Sequence, residues 1–171
     1  MLGAPNIILV GPMGSGKTAV GRSLSRYLSA PFYDSDTEIV RRTGVDIPYI
    51  FEREGEPGFR EREREAIAAL ALLEGIVLAT GGGAILLPEN RRVLAERGFV
   101  VYLETSVEQQ TERVKHGRSR PLLIDVDDPA MRLGELMAVR DPLYRSIADL
   151  TVRTDGRRVK AVADDIMQAI R

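Results

Sequence analysis

The chain has 171 residues, 44% hydrophobic and 29% charged, with a formal net charge of −1. That length suffices for one domain with a substantial core, and the near-neutral balance gives no bulk-charge argument for nucleic acid or membrane binding. Cysteine is absent, which excludes disulfides and thiolate metal sites and suits a reducing compartment. Met1-Leu2-Gly3-Ala4-Pro5 carries no basic region, so no signal peptide is expected. No apolar run is long enough to span a bilayer, and a cytoplasmic location is the expectation. Asn6 to Val10 is a short apolar run that predicts a buried strand. Gly11-Pro12-Met13-Gly14-Ser15-Gly16-Lys17-Thr18 follows and fits G-x-x-x-x-G-K-[ST], the phosphate-binding loop. Behind it, from Ala19 to Ser29, Val20, Leu24, Tyr27 and Leu28 recur at helical spacing.

Pro31 resets the backbone, and Phe32-Tyr33 begins a second strand that ends at Asp34-Ser35-Asp36. A helix from Thr37 to Arg42 is predicted, stopped by Thr43-Gly44. Asp46 caps a short helix through Arg53. Gly55-Glu56-Pro57-Gly58 predicts a turn. A charged helix from Phe59 to Glu74 has the apolar stripe Phe59, Ala66, Ile67, Leu70 and Leu73, with Gly75 as its stop. Ile76 to Ala79 is a buried strand running into Thr80-Gly81-Gly82-Gly83. A helix from Pro88 to Arg97, stopped by Gly98, leads to a fourth strand, Phe99 to Leu103. Ser106 caps a helix through Lys115. His116 to Asp128 lacks helical periodicity and reads as a mobile loop. Pro129 opens a long helix that Pro142 is expected to end or kink near Asp141. Leu150 to Val152 is a fifth strand, Asp155-Gly156 a turn, and Val159 to Ile170 a last helix. This alternation predicts a single domain, a parallel sheet covered on both faces. Ligands on such sheets bind beyond the carboxyl ends of the strands, where the phosphate loop, Asp34-Ser35-Asp36 and the triple glycine all fall.

The phosphate loop implies a nucleotide. Its glycines bring backbone N–H groups close to an anion, and the helix N-terminus adds partial positive charge. Lys17 can reach the β- and γ-phosphates, and the Thr18 hydroxyl can ligate Mg²⁺. A short chain without a partner-reading insertion favours a small-molecule kinase over a motor or switch. Asp34 and Asp36, spaced i, i+2, would point the same way if extended. One could support Mg²⁺ and the other take a substrate hydroxyl, while helix capping by one of them is the competing role. Arg60 opens a run of charges best read as a solvated, ion-paired face. An inward Arg there could instead clamp a carboxylate. The Gly81–Gly83 run reads equally as a tight turn or as bare backbone approached by a ligand. Lys115, Arg118 and Arg120 precede Pro121, either as a solvated basic loop or as a lid bringing Arg120 onto the transferring phosphoryl group and excluding water. His116, the single histidine, reads as an exposed bystander.

These clusters in this order resemble the shikimate kinases. The matching segments are Gly11 to Thr18, Phe32 to Asp36, Gly55 to Glu63, Leu78 to Gly83, Val101 to Leu103, Arg120 to Leu123 and Arg140 to Tyr144. The resemblance implies a P-loop, nucleoside-monophosphate-kinase-like three-layer α/β/α fold with a five-stranded parallel sheet in the order 2-3-1-4-5. It implies transfer of a phosphoryl group from ATP to the 3-hydroxyl of shikimate, on the route to chorismate and the aromatic amino acids, with one Mg²⁺. It also assigns roles. Asp36 would bind the shikimate hydroxyls and act as base, and Asp34 would hold the water shell of Mg²⁺ beside Thr18. Arg60 and Arg140 would clamp the carboxylate. Gly81, Gly82 and Gly83, chiefly Gly82, would contact the ring hydroxyls, and Glu63 would anchor the charge network. Gly14, Ser15, Gly16, Lys17, Thr18 and Ala19 would hold the ATP phosphates, Arg120 would be the lid arginine, and Arg113 and Arg157 would flank the adenine. Ala19 departs from the Thr or Ser common in the family. The implied organisation is one domain over 1–171, with a shikimate-binding region at about 34–63 and a lid at about 116–128. A monomer is expected. The runners-up are another small-metabolite P-loop kinase, gluconate-kinase-like, which should lack the Arg60 and Arg140 pair, and a non-catalytic nucleotide-binding module.

Overall fold

In the computed structural model, which describes residues 5–115 and 127–171, five strands form one parallel sheet. They are β1 (Asn6–Val10), β2 (Phe32–Asp34), β3 (Val77–Ala79), β4 (Gly98–Glu104) and β5 (Leu150–Arg153). Their order is β2-β3-β1-β4-β5, the order that the resemblance implies. Ile8 on the central strand lies opposite Leu78 on one side and Val100 on the other. Both faces are covered, so every residue of β1 is buried. Its side chains alternate between two cores. Ile8 and Val10 join Ile67, Leu78, Tyr102 and Tyr144 on one face. Ile7 and Leu9 join Val20, Leu24, Val162 and Ile166 on the other.

The helices are α1 (Lys17–Leu28), α2 (Ser35–Thr43), α3 (Ile47–Ala71), α4 (Pro88–Arg97), α5 (Val107–Lys115), α6 (Pro129–Ile147) and α7 (Val159–Ala169), with a short 3-10 turn at Ala84–Leu86. Helices α1 and α7 pack together on one face of the sheet, and α3, α4 and α6 contribute to the core on the other. A third, smaller core of Ile39, Ile50, Phe59 and Ala66 joins α2 to α3. Asp46 and Ser106 cap their helices as predicted.

Four local readings change. The Gly55–Gly58 turn shrinks to one residue. Gly55 adopts φ 70°, ψ −178°, and the helix resumes at once. A left-handed φ suits glycine, and Pro57 falls in the first turn of the resumed segment, where its missing N–H costs little. That segment ends at Ala71, so Leu73 lies beyond it, 39% exposed, and Gly75 is not its stop. Tyr27, read as part of the apolar stripe of α1, is 48% exposed. Pro142 does not end α6, which continues to Ile147. The proline forfeits the bond that its N–H would make to the Ala138 carbonyl, while Tyr144, two residues on, is buried in the core beside Tyr102. Among the described residues, no helix is long and apolar enough to cross a membrane.

Candidate active site at the carboxyl rim of the sheet

The phosphate loop links β1 to α1. Gly16 caps α1 at φ 88°, and Gly14 lies at φ 79°, both positions that an L side chain would strain. Ser15 is buried, and its amide bonds Pro12 O at 3.2 Å. Lys17 Nζ donates to the carbonyls of Gly11 (2.6 Å) and Pro12 (2.9 Å) and approaches Ser15 Oγ at 3.4 Å. The ammonium thus sits over the mouth of the loop, held by oxygens that a phosphate can replace. Thr18 and Ala19 stand on the first turn behind it and line the same cavity.

Thr18 Oγ1 donates to Asp34 Oδ2 at 3.2 Å. The other Asp34 oxygen accepts from the Asp36 and Thr37 amides at 2.9 and 3.2 Å, capping α2. Capping and proximity to Thr18 therefore fall on one residue, using different oxygens. Asp36 is not extended. It lies in the first turn of α2, and the helical turn rather than a strand pleat presents it to both cavities of the site. The Thr18 hydroxyl and Asp34 Oδ2 are hard oxygen donors next to the phosphate loop. No cluster of three or more His, Cys, Asp or Glu suited to a metal occurs among the described residues. That sparse set fits Mg²⁺, which keeps most of its waters and takes one or two protein ligands plus phosphate oxygens.

A second cavity adjoins the first. The two share Met13, Asp36, Gly81 and Gly82. Arg60, Glu63 and Arg140 line the second, and all three are buried. Arg60 thus departs from the solvated face of its charged helix. Its Nη1 donates to Glu63 Oε1 at 3.0 Å and its Nη2 to Glu56 at 3.2 Å. Glu63 Oε2 is buried with no hydrogen-bond partner among the described residues. Burial pushes the Glu63 carboxyl up to about 7, against the Arg60 cation that favours its charge, and the Asp36 charge adds to the rise. Burial also lowers the Arg140 guanidinium from its ordinary value.

The triple glycine is the floor between these groups. The Gly81 amide is held by Ser35 Oγ at 3.0 Å. A methyl group on Gly81 would lie 2.9 Å from both Asp36 Oδ1 and Glu63 Oε2, and one on Gly83 would lie 2.5 Å from Arg60 Nη1. The room that Gly81 and Gly83 leave is taken by the site's own charged side chains, so glycine is required there for packing whether or not a ligand meets the backbone.

Arg113 Nη1 donates to Gly14 O at 2.6 Å, and Arg113 lines the phosphate-loop cavity. Arg157 does not. Its guanidinium engages Asp165 at 2.8 Å and the Ala161 carbonyl at 3.4 Å, both on α7. Arg120 and positions 116–126 of the lid lie outside the described residues. Met13, Ser35 and Tyr144 fall within the motif segments but received no role from the sequence, and Phe51 was placed only on the short helix after Asp46; Tyr144 also carries the signal of its i, i+4 spacing from Arg140 on a helix.

A family model described as shikimate kinase matches residues 13–171. The chain is 56% identical to a shikimate kinase of Pseudomonas syringae pv. tomato, over 95% of this chain and 94% of that one. It is 51% identical to a shikimate kinase of Pasteurella multocida, over 96% and 94%. Among solved structures, a shikimate kinase from Acinetobacter baumannii in complex with shikimate superposes with a TM-score of 0.95 at 50% identity, covering 98% of this chain and 93% of that one. The shikimate kinase of Aquifex aeolicus superposes with a TM-score of 0.82 at 37% identity, covering 96% and 95%. With its phosphate loop, paired buried arginines and five-stranded sheet, the chain belongs to the shikimate kinase family.

Proposed function

We propose that this chain transfers the γ-phosphoryl group of ATP to the 3-hydroxyl of shikimate, giving shikimate 3-phosphate and ADP. The observation that carries the reading is the wall shared by the two cavities. Met13, Asp36, Gly81 and Gly82 line both the cavity of the phosphate-binding loop and the cavity of the two buried arginines. A small hydroxylated carboxylate held by Arg60 and Arg140 would present its hydroxyls to Asp36, next to the nucleotide's phosphates.

In this reading Lys17 leaves the Gly11 and Pro12 carbonyls for the β- and γ-phosphates as ATP enters. The N–H groups of Gly14 to Thr18 and the N-terminus of α1 hold the phosphate chain. Asp36 orients the acceptor hydroxyl and takes its proton as the new O–P bond forms and the bond to the β-phosphate oxygen breaks. Arg60 and Arg140 fix the carboxylate and therefore the ring. Gly82 contacts the ring hydroxyls, and Glu63 holds Arg60. Thr18 and the water shell around Asp34 would hold Mg²⁺, which neutralises charge on the β- and γ-phosphate oxygens when bound. Arg113, with Arg157 after a rearrangement, flanks the adenine, and Arg120 reaches the transferring group from the lid. The chain acts as a cytoplasmic monomer in the shikimate pathway.

The test is ADP release from Mg·ATP with and without shikimate, on wild type and Asp36→Asn. Shikimate-dependent turnover that falls at least about 100-fold in the variant is expected, within the usual range for losing a positioned base. Turnover that persists in Asp36→Asn would remove Asp36 as the base. Absence of shikimate dependence in wild type would overturn the assignment.

A further inference from the structure

We propose that Tyr144 is a positioning residue of the acceptor site, acting through Arg140 and the Gly82 peptide. The inference rests on the shikimate kinase reading above and deepens it.

Tyr144 is fully buried one helical turn beyond Arg140. Its hydroxyl donates to Gly82 O at 2.5 Å, joining groups 62 residues apart in the chain. The Arg140 guanidinium lies against the same glycine: a methyl group built on Gly82 would stand 3.6 Å from Arg140 Nη1. The Tyr144–Gly82 bond therefore fixes, from the helix that carries the proposed carboxylate clamp, the peptide that lines both cavities and that the clamp packs against.

The helix needs this tie at this turn. Pro142 has no N–H to give to Ala138 O, so α6 lacks a backbone bond across the turn that carries Arg140. Tyr102 braces it from the sheet, donating from β4 to Asp141 Oδ1 at 2.6 Å. Its ring stacks on that of Tyr144, with centroids 4.9 Å apart and planes inclined by 29°. Tyr102 thus holds the residue after Arg140, and Tyr144 ties the next turn of the helix to Gly82.

Tyr144→Phe keeps the ring and its stacking and removes only the hydroxyl. Leaving a buried carbonyl without its hydrogen-bond donor typically corresponds to about a tenfold change in an equilibrium constant. The KM for shikimate should therefore rise about tenfold, with the KM for ATP within about twofold of wild type. A double-mutant cycle separates positioning from bulk structure. In an Arg140→Ala background, Tyr144→Phe should change the shikimate KM by less than about twofold, because the group it positions is gone. An unchanged shikimate KM, a parallel rise in both KM values, or an equal factor in both backgrounds would each overturn the inference. If Tyr144→Phe does not fold, 3-fluorotyrosine placed at position 144 keeps the hydroxyl. Its ¹⁹F resonance should move on adding shikimate and not on adding ADP, and a resonance indifferent to shikimate would overturn the inference. Lack of shikimate-dependent ADP release by the unsubstituted enzyme would instead show up in the wild-type control, overturning the functional reading and this inference with it.

Discussion

Gly83→Ala tests the site without touching a charged residue. Gly83 lies at φ −96°, ψ 7°, so alanine fits the backbone and the whole effect is steric. The new methyl would lie 2.5 Å from Arg60 Nη1 and 2.6 Å from its Cζ, about 0.9 Å short of the 3.4 Å at which ordinary contact begins. Arg60 must recoil. A movement of that size along the line to Glu63 stretches the 3.0 Å Arg60–Glu63 contact to about 3.9 Å, outside hydrogen-bonding range. Losing a charge-assisted hydrogen bond costs about 1.5–3 kcal/mol, and the entropic gain of replacing glycine returns about 0.4–1 kcal/mol. The net loss is about 0.5–2.6 kcal/mol, or about 1–10 °C in Tm at 2–4 °C per kcal/mol for a chain of this size. Differential scanning calorimetry and steady-state kinetics read the two effects together. Tm should fall by that amount, and the shikimate KM should rise at least about tenfold as the clamp is displaced. A variant with Tm within about 1 °C and shikimate KM within about twofold of wild type would refute the placement of Arg60 against the glycine turn.

Two other glycines should move stability in opposite directions. Gly134→Ala, in α6 with nothing within 4 Å of the new methyl, should raise Tm by about 1–4 °C through helix propensity. Gly21→Ala, in α1, should lower it despite the same propensity gain, because its methyl would lie 2.5 Å from Phe32 Cε2 and overpacking costs about 1–3 kcal/mol. For Glu63, the folded chain holds a proton that the unfolded chain releases between about 4.5 and about 7. Its contribution to stability is therefore fully present below the lower value and is lost as pH rises through the upper one. Thermal melts from pH 5 to 8 should show Glu63→Gln gaining on wild type as pH rises, and a constant difference would contradict the raised value. Asp34→Asn keeps a capping oxygen and loses a charge. Its Tm should stay within about 2 °C while the Mg²⁺ concentration for half-maximal turnover rises about tenfold or more, whereas Asp34→Ala should also lose about 1 kcal/mol of capping.

The sheet was legible because its strands are short apolar runs separated by helices at regular intervals. The phosphate loop was legible because its spacing, between a strand and a helix, is a local property. Residues whose surroundings are made by distant chain were harder. Arg60 and Glu63 sit in a run that looks solvated by composition, yet they face Gly81 and Gly83 across the fold; the helical period does put Glu63 on the apolar stripe, four residues from both Phe59 and Ile67, but its charge hid that placement. Gly55 does break the helical backbone between two segments, as its turn signal implied, but over one residue rather than four. Pro142 carries a real local penalty, yet α6 runs past it to Ile147. The double use of Asp34 was hidden because a carboxylate has two oxygens, and sequence cannot divide them between a helix cap and Thr18.

The wall of Met13, Asp36, Gly81 and Gly82 that the two cavities share has a thermodynamic corollary. Either occupant's effect on that wall enters the binding free energy of the other, and linkage makes the coupling reciprocal. If shikimate tightens ATP by some factor, ATP tightens shikimate by the same factor. The shared wall also lets one covalent molecule reach both sites with a very short tether. A cyclic hydroxy acid joined through a phosphate chain to adenosine would face its second site at a high effective concentration, and its affinity would report the coupling that each substrate alone only samples.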